Sequence, residues 1–201
     1  LILNTDEDPE LERRAIHTAI SRQVDGVVLC PCQQGREGLT LMDQHRVPYV
    51  LSGRDFDDLA CDSVIWADYK GGLIATRHLI ERGCRQILFL NGPEIISSAR
   101  ERDRGYRDAL AEAGLVPLER SVSSMSGGVH SALDVLEAQG VRYDGIFAFS
   151  DLMALEAACW LQEHGRKIPE DVRMAGFDDI LSHMCIPFGL TSISADKKQE
   201  T

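Results

Sequence analysis

Four polar residues stand where two apolar runs stop. Gly145–Phe149 ends in Ser150-Asp151, and Val172–Phe177 ends in Asp178-Asp179. Between them Leu152, Leu155, Cys159 and Leu161 recur at roughly helical spacing, and Gly165 falls where a helix should stop. Residues 144–179 therefore read as strand, helix, strand. Two parallel strands joined by a helix put both C-terminal ends on one edge of a sheet, the edge where open α/β sheets bind ligands. Carboxylates and a hydroxyl on that edge can hold ligand hydroxyls or N–H groups. The chemistry on offer is recognition, since the sequence holds no GxSxG elbow, HExxH motif or phosphate loop. No nucleophile–base set supports an enzyme.

A second cluster surrounds Ser97. Ser98 and Glu101 have the spacing of a capping box for a helix running to Gly114, which puts Arg102 within about the first turn. A planar guanidinium near a helix start can grip two adjacent hydroxyls or a carboxylate. A helix-mouth arginine contributes modestly to stability, so Arg102→Ala is expected to cost ligand affinity and little of the fold. Arg100, Arg104 and Arg107 alternate with Glu101, Asp103 and Asp108, the pattern of a paired helix surface. Arg54 follows the run Val47–Leu51 and faces either a cleft or Asp55 and Asp57. Ser150 and Asp151 also suit helix capping, and capping is the preferred role of Asp151.

The elements that must position these groups alternate. Leu1–Asn4 reads as a strand, and Asp8-Pro9-Glu10 as a helix start with a capping Asp and Pro at the first helical position. Gly26–Cys30 is a continuous apolar strand, as expected when helices cover both faces. A helix near 36–45, strands at 47–51 and 64–66, and a helix from Asp68 to Arg82 closed by Gly83 follow. Gly71-Gly72 lies one turn inside that helix and reads as a close-packing site. Gln86–Asn91 is a strand, then come the Ser98 helix, an extended segment at 120–124, a helix at 128–139 and the unit at 144–179. Leu190–Ser194 begins another extended segment. This β-α alternation predicts an α/β fold of parallel sheets flanked by helices. Gly92-Pro93 is the expected boundary between a first lobe at 1–92 and a second at 93–189, with 190–201 returning toward the first. A cleft between such lobes suits a small molecule.

Composition narrows the partners. The chain has 21 Lys and Arg against 32 Asp and Glu, a net charge of −11, which repels nucleic-acid backbones. No apolar run approaches the roughly 18 residues that span a bilayer, and LILNTDEDPE carries no basic stretch of a secretory signal. Six scattered cysteines without a CxxC pair favour buried thiols in a reducing compartment. Cys30-Pro-Cys32 is the one close pair, and no partner stands at a metal-ligand spacing. Neither metal nor cofactor is expected.

VDGVVLCP, VPYVLSGR, GGLIATRHLIERGCRQILFLNGP, SSARERDRGYRDALAEAGL, IFAFSDLMAL, IPEDVRMAGFDD and PFGLTSI occur in this order. Together they closely resemble the effector-binding core of LacI/GalR transcription regulators, over nearly the whole chain. The resemblance implies a two-lobed periplasmic-binding-protein-like fold closing on a sugar, a purine or another metabolite. It also implies a cytoplasmic homodimer and operator DNA bound through an N-terminal helix-turn-helix headpiece outside this sequence. The family's effector arginine matches Arg102, its acidic ligand matches Asp178, and Ser150 occupies a position that is commonly Asn. Arg54 and Ser97 complete the expected effector-binding set. Gly53 stands where many members carry Asp, and 123–126 reads Ser-Ser-Met-Ser where an aromatic platform is common. Some members answer to a phosphorylated carrier protein in place of a small molecule. The reading from another class is a solute-binding protein of a sugar transporter.

Overall fold

The computed structural model describes residues 1–122, 127–181 and 188–194. By contact they fall into two units, Leu1–Trp66 with Ile95–Ser98, and residues 67–94 with those from 99 onward.

The first unit holds α1 (Pro9–Ser21), β1 (Val27–Leu29), α2 (Glu37–His45), β2 (Tyr49–Ser52) and β3 (Ser63–Val64), with the strands parallel in the order β1-β2-β3. Asp8 caps α1 as its sequence predicts, accepting from the N–H groups of Glu10 and Leu11. Ile16, Leu39, Met42 and Leu51 form the core, joined by Val27, Leu29 and Tyr49. Both helices therefore lie on the one sheet face that these alternate residues line. The expectation of a strand covered on both faces fails here: Val28, between Val27 and Leu29, is 77% exposed, because no described element covers its side. Residues 1–4 do not form the expected strand either. β1 is paired on one side only, by β2, so no ladder reaches them.

The second unit contains α3 (Asp68–Glu81), β4 (Ile87–Asn91), α4 (Ser97–Glu112, whose first two residues group with the first unit), β5 (Leu118–Ser121), α5 (Gly128–Ala138), β6 (Gly145–Ala148), α6 (Asp151–Glu163), β7 (Arg173–Phe177) and β8 (Thr191–Ile193). Its five strands run parallel in the order β5-β4-β6-β7-β8. Successive β4 side chains serve opposite faces: Ile87 and Phe89 pack with α3 and α4, Leu88 and Leu90 with α5 and α6. The Phe89 and Phe147 rings stack at 4.4 Å. This is the doubly covered parallel sheet that near-continuous apolar runs predict. β4 lies inside it, so Gly92-Pro93 ends a strand of the second unit, and by contact the chain passes between the units at Trp66-Ala67, Glu94-Ile95 and Ser98-Ala99. β8 extends the same sheet, which places 191–193 in the second unit.

Candidate functional site

The ends of β6 and β7 do share one edge. Ser150 takes extended backbone angles and caps α6, its Oγ accepting from Met153 N at 3.3 Å. Asp151 is therefore not the cap. It is the first helical residue and fully buried, and its carboxylate accepts from Ile180 N at 2.9 Å and Ser192 Oγ at 2.6 Å. Ser192 Oγ accepts in turn from Asp179 N at 3.0 Å, and Asp178 N donates to Ile193 O at 2.9 Å. Three successive N–H groups are thus satisfied across α6, β7 and β8. Asp178 and Asp179 both hold positive φ, at 91° and 50°, a conformation that costs a non-glycine residue on the order of 1–3 kcal/mol unless its surroundings impose it. The Asp151–Ser192 bonds are that imposition. Gly176 permits the approach, since a Cβ there would collide with the Asp151 carboxylate.

Arg102 does not stand at the expected helix mouth. α4 starts at Ser97, so Ser98 lies inside it where a cap was expected before it, and Arg102 falls in the second turn. It is 4% exposed. Nε donates to Asp68 Oδ1 at 2.7 Å, Nη1 donates to the Phe149 carbonyl, and Nη2 lies 3.6 Å from Asp178 Oδ1. The guanidinium sits over the Phe149 ring at 4.3 Å and the Phe177 ring at 3.5 Å. Two glycines bring Asp68 this close. A Cβ on Gly72 would collide with the Arg102 backbone, and one on Gly105 would collide with Tyr69 O and meet Leu73 N at 2.7 Å. The α3 and α4 backbones therefore touch, as Gly71-Gly72 suggested, and the first residue of α3 reaches the second turn of α4. Burial pushes the Asp68 carboxyl above its ordinary range; Arg102 pulls against that, while Asp178 and Glu101 add to it. Two of the other arginines of α4 form the surface pairs expected: Arg104 meets Glu101 at 2.7 Å and Arg107 meets Asp103 at 2.6 Å.

In the first unit Arg54 is held in a fork by Glu7, with Nη1 to Oε2 at 2.6 Å and Nη2 to Oε1 at 2.7 Å, and Nη1 also donates to Pro31 O at 2.9 Å. Asp55 and Asp57, the partners its neighbours in sequence suggested, are not the ones it takes. Ser97 joins the same unit: its Oγ accepts from Asp55 N at 3.2 Å and its N–H donates to Gln33 Oε1 at 2.8 Å. The structure thus brings Arg102 and Asp178 together, keeps Ser150 as a cap at the same sheet edge, and groups Arg54 with Ser97. Residues 123–126 lie outside the described part.

Burial, followed by a hydrogen bond with Glu12, pushes the Cys32 thiol up to about 12, and burial also raises Cys30. Among the described residues no three His, Cys, Asp or Glu side chains converge as metal ligands, and no helix is long and apolar enough to cross a membrane.

Sequence reasoning missed Asp68, Glu7 and the anchoring role of Asp151. The signal for Asp68 was present in Gly71, Gly72 and Gly105, which predict helices in backbone contact and so bring a first-turn acid to the facing helix. Glu7 carried none, because it lies in a turn with φ at 60° and reaches Arg54 from 47 residues away.

Residues 1–197 match the family described as periplasmic binding proteins and sugar binding domain of LacI family. The HTH-type transcriptional repressor PurR of Aliivibrio fischeri (strain MJ11) is 29% identical over 204 residues, covering 98% of this chain and 60% of that protein. The chain thus spans about 60% of the length of this curated relative. A periplasmic binding protein/LacI transcriptional regulator from Alkaliphilus metalliredigens, solved with D-xylulofuranose, superposes with a TM-score of 0.83 at 26% identity, over 98% of this chain and 72% of that one. The cellobiose complex of the transcriptional regulator CelR gives a TM-score of 0.73 at 33% identity, over 85% and 54%.

Proposed function

Since the chain belongs to the family of periplasmic binding proteins and LacI-type sugar-binding domains, we propose that it is the effector-sensing domain of a bacterial transcriptional regulator and that Arg102 and Asp178 hold its effector, a sugar or related metabolite. The observation that carries the reading is the pairing of a buried guanidinium with a carboxylate 3.6 Å away whose side chain is 39% exposed. One group donates and the other accepts, so a hydroxyl at this place can take a bond from Nη2 and give one to the carboxylate. The phenyl rings of Phe149 and Phe177 fix the guanidinium plane, so little orientation is lost when ligand arrives. Two relatives solved with sugars support the class of ligand.

Binding then acts by population. A ligand that prefers one conformation of the regulator shifts the equilibrium by its difference in affinity for the two states, and operator binding by a helix-turn-helix segment follows in a homodimer. The protein works in the cytoplasm and turns nothing over; its output is occupancy.

The test is a thermal-shift panel of monosaccharides, disaccharides and purines on wild type and Asp178→Asn. Asn tolerates the left-handed backbone that Asp178 adopts, so the fold is kept while the carboxylate goes. One compound should raise Tm by several degrees, and the variant should bind it about tenfold or more weakly, as expected for a lost bond to a charged acceptor. Undiminished binding in Asp178→Asn would remove the site from this sheet edge.

A further inference from the structure

The backbone that carries Asp178 is held by β8. The Asp178 N–H donates to Ile193 O at 2.9 Å, and the next N–H, that of Asp179, donates to Ser192 Oγ at 3.0 Å. These bonds pin the peptide planes on either side of the Asp178 Cα. The direction of its Cα–Cβ bond is then set, and only the side-chain torsions remain. The first bond is a backbone contact that any residue at 193 supplies. The second depends on one hydroxyl. Ser192 faces Gly176 across the β7–β8 ladder, on the side where a Cβ at 176 would meet Leu190 and the Asp151 carboxylate. Leu190 packs there against the core beneath α6, whereas Ile193 serves the opposite face. An apolar side chain at 192 would add to that burial. The serine instead donates to Asp151 Oδ1 at 2.6 Å, which leaves its lone pairs for Asp179 N. Asp151 Oδ2 takes the following N–H, that of Ile180, at 2.9 Å. Successive N–H groups facing one anionic oxygen system are what a turn with positive φ at 178 and 179 presents.

Resting on the reading that Asp178 holds the effector, we infer that Ser192 is a positioning residue of that site: its hydroxyl, oriented by Asp151, aims the Asp178 carboxylate through the backbone. Without the hydroxyl the peptide joining 178 and 179 can turn, and Asp151 loses the donor at Oδ1. The carboxylate then spends part of its time away from the place where it shares a ligand hydroxyl with Arg102 Nη2, 3.6 Å off. Ordering it again on binding costs affinity. Arg102 keeps its own anchors, Asp68 and the Phe149 carbonyl, so the loss falls on the Asp178 half of the site.

The experiment is calorimetry on the 201-residue chain with D-glucose, D-ribose, D-xylulose and cellobiose as probes, followed by the wider panel of sugars and purines if none of the four binds. Ser192→Ala should bind the responding compound about fivefold more weakly than wild type, as expected for one lost hydrogen bond. Ser192→Thr keeps the hydroxyl on a residue that suits a strand, and should stay within about twofold of wild type. The deciding measurement adds Ser192→Ala to Asp178→Asn. With the carboxylate already gone, losing the hydroxyl should cost less than about twofold further, whereas a serine that only supports the fold costs the same in both backgrounds. Asp151→Asn, which denies the hydroxyl its charged acceptor, replaces Ser192→Ala if that variant does not fold. Undiminished binding by Ser192→Ala, or equal losses in the two backgrounds, overturns the inference and leaves the effector reading in place. Binding of no compound by wild type, or undiminished binding by Asp178→Asn, overturns the effector reading and this inference with it.

Discussion

Arg102 and Arg54 are two solutions to one problem, a buried arginine answered by a carboxylate, and they are built differently. Arg102 and Asp68 sit on regular helices whose backbones touch, under two phenyl rings, beside a sheet covered on both faces. Arg54 and Glu7 sit on loops; Glu7 keeps a positive φ and a side chain 38% exposed, and the sheet beside them is covered on one face. A pair fixed by helices has nowhere to go when one member is lost. A pair on loops can relax and rehydrate.

The largest expected effect follows from that contrast. Arg102→Ala strands the Asp68 carboxylate in a dry site, and breaking such a pair costs about 3–5 kcal/mol. This replaces the expectation of little loss of fold, which rested on a helix mouth that Arg102 does not occupy. Arg54→Ala should cost about 1–2 kcal/mol, because Glu7 can turn to water. Urea unfolding of both variants measures the gap, and equal losses would mean that the helical frame confers no extra rigidity.

Glycines sharpen the comparison at a smaller scale. Gly105→Ala sets a methyl against Tyr69 O and Leu73 N, backbone atoms that cannot step aside, and should destabilise by about 1–3 kcal/mol despite the better helix former. Gly38→Ala in the first unit collides only with the far end of the Ile16 side chain, with Glu12 Oε1 at ordinary contact, so its change should stay within about 1 kcal/mol of zero. Thermal midpoints of the two variants decide it. A tolerated Gly105→Ala would show that α3 and α4 are less tightly held than the Arg102 site requires.

Order and type of nearly every element were legible, because apolar runs of strand length alternate with helical spacing and glycines such as Gly83 and Gly165 stand at positive φ where helices stop. Arg102 and Asp178 were singled out as effector groups only through likeness to a family; spacing alone put Arg102 near a helix start. What stayed hidden depends on contacts far apart in sequence. Arg102 meets Asp68 across 34 residues and Asp151 meets Ser192 across 41, and no local pattern marks either. The passage between the units at Trp66-Ala67 stayed hidden for a related reason. Gly92-Pro93 is strong punctuation, yet whether a strand belongs before or after it is set by the neighbours it pairs with, here β5 and β6.

The smallest effect separates the units by sign. Asp68 in the second unit is raised above the ordinary 3.8, by burial first, whereas Asp58 in the first is lowered, by its hydrogen bond with Arg36 first. A raised carboxyl stabilises the folded chain below its unfolded value and loses that contribution as pH climbs through the folded one. A lowered carboxyl does the reverse, contributing above 3.8 and losing it as pH falls through the folded value. Neither Asn variant titrates. On acidification from pH 7 toward 4, wild type should therefore gain stability relative to Asp68→Asn, and below 4 it should lose stability relative to Asp58→Asn. Urea midpoints at pH 7, 5, 4 and 3 give both slopes. If the Asp68 slope ran the same way as that of Asp58, the attraction of Arg102 would outweigh burial, and the carboxylate behind the arginine would be a stable charge down to acid pH.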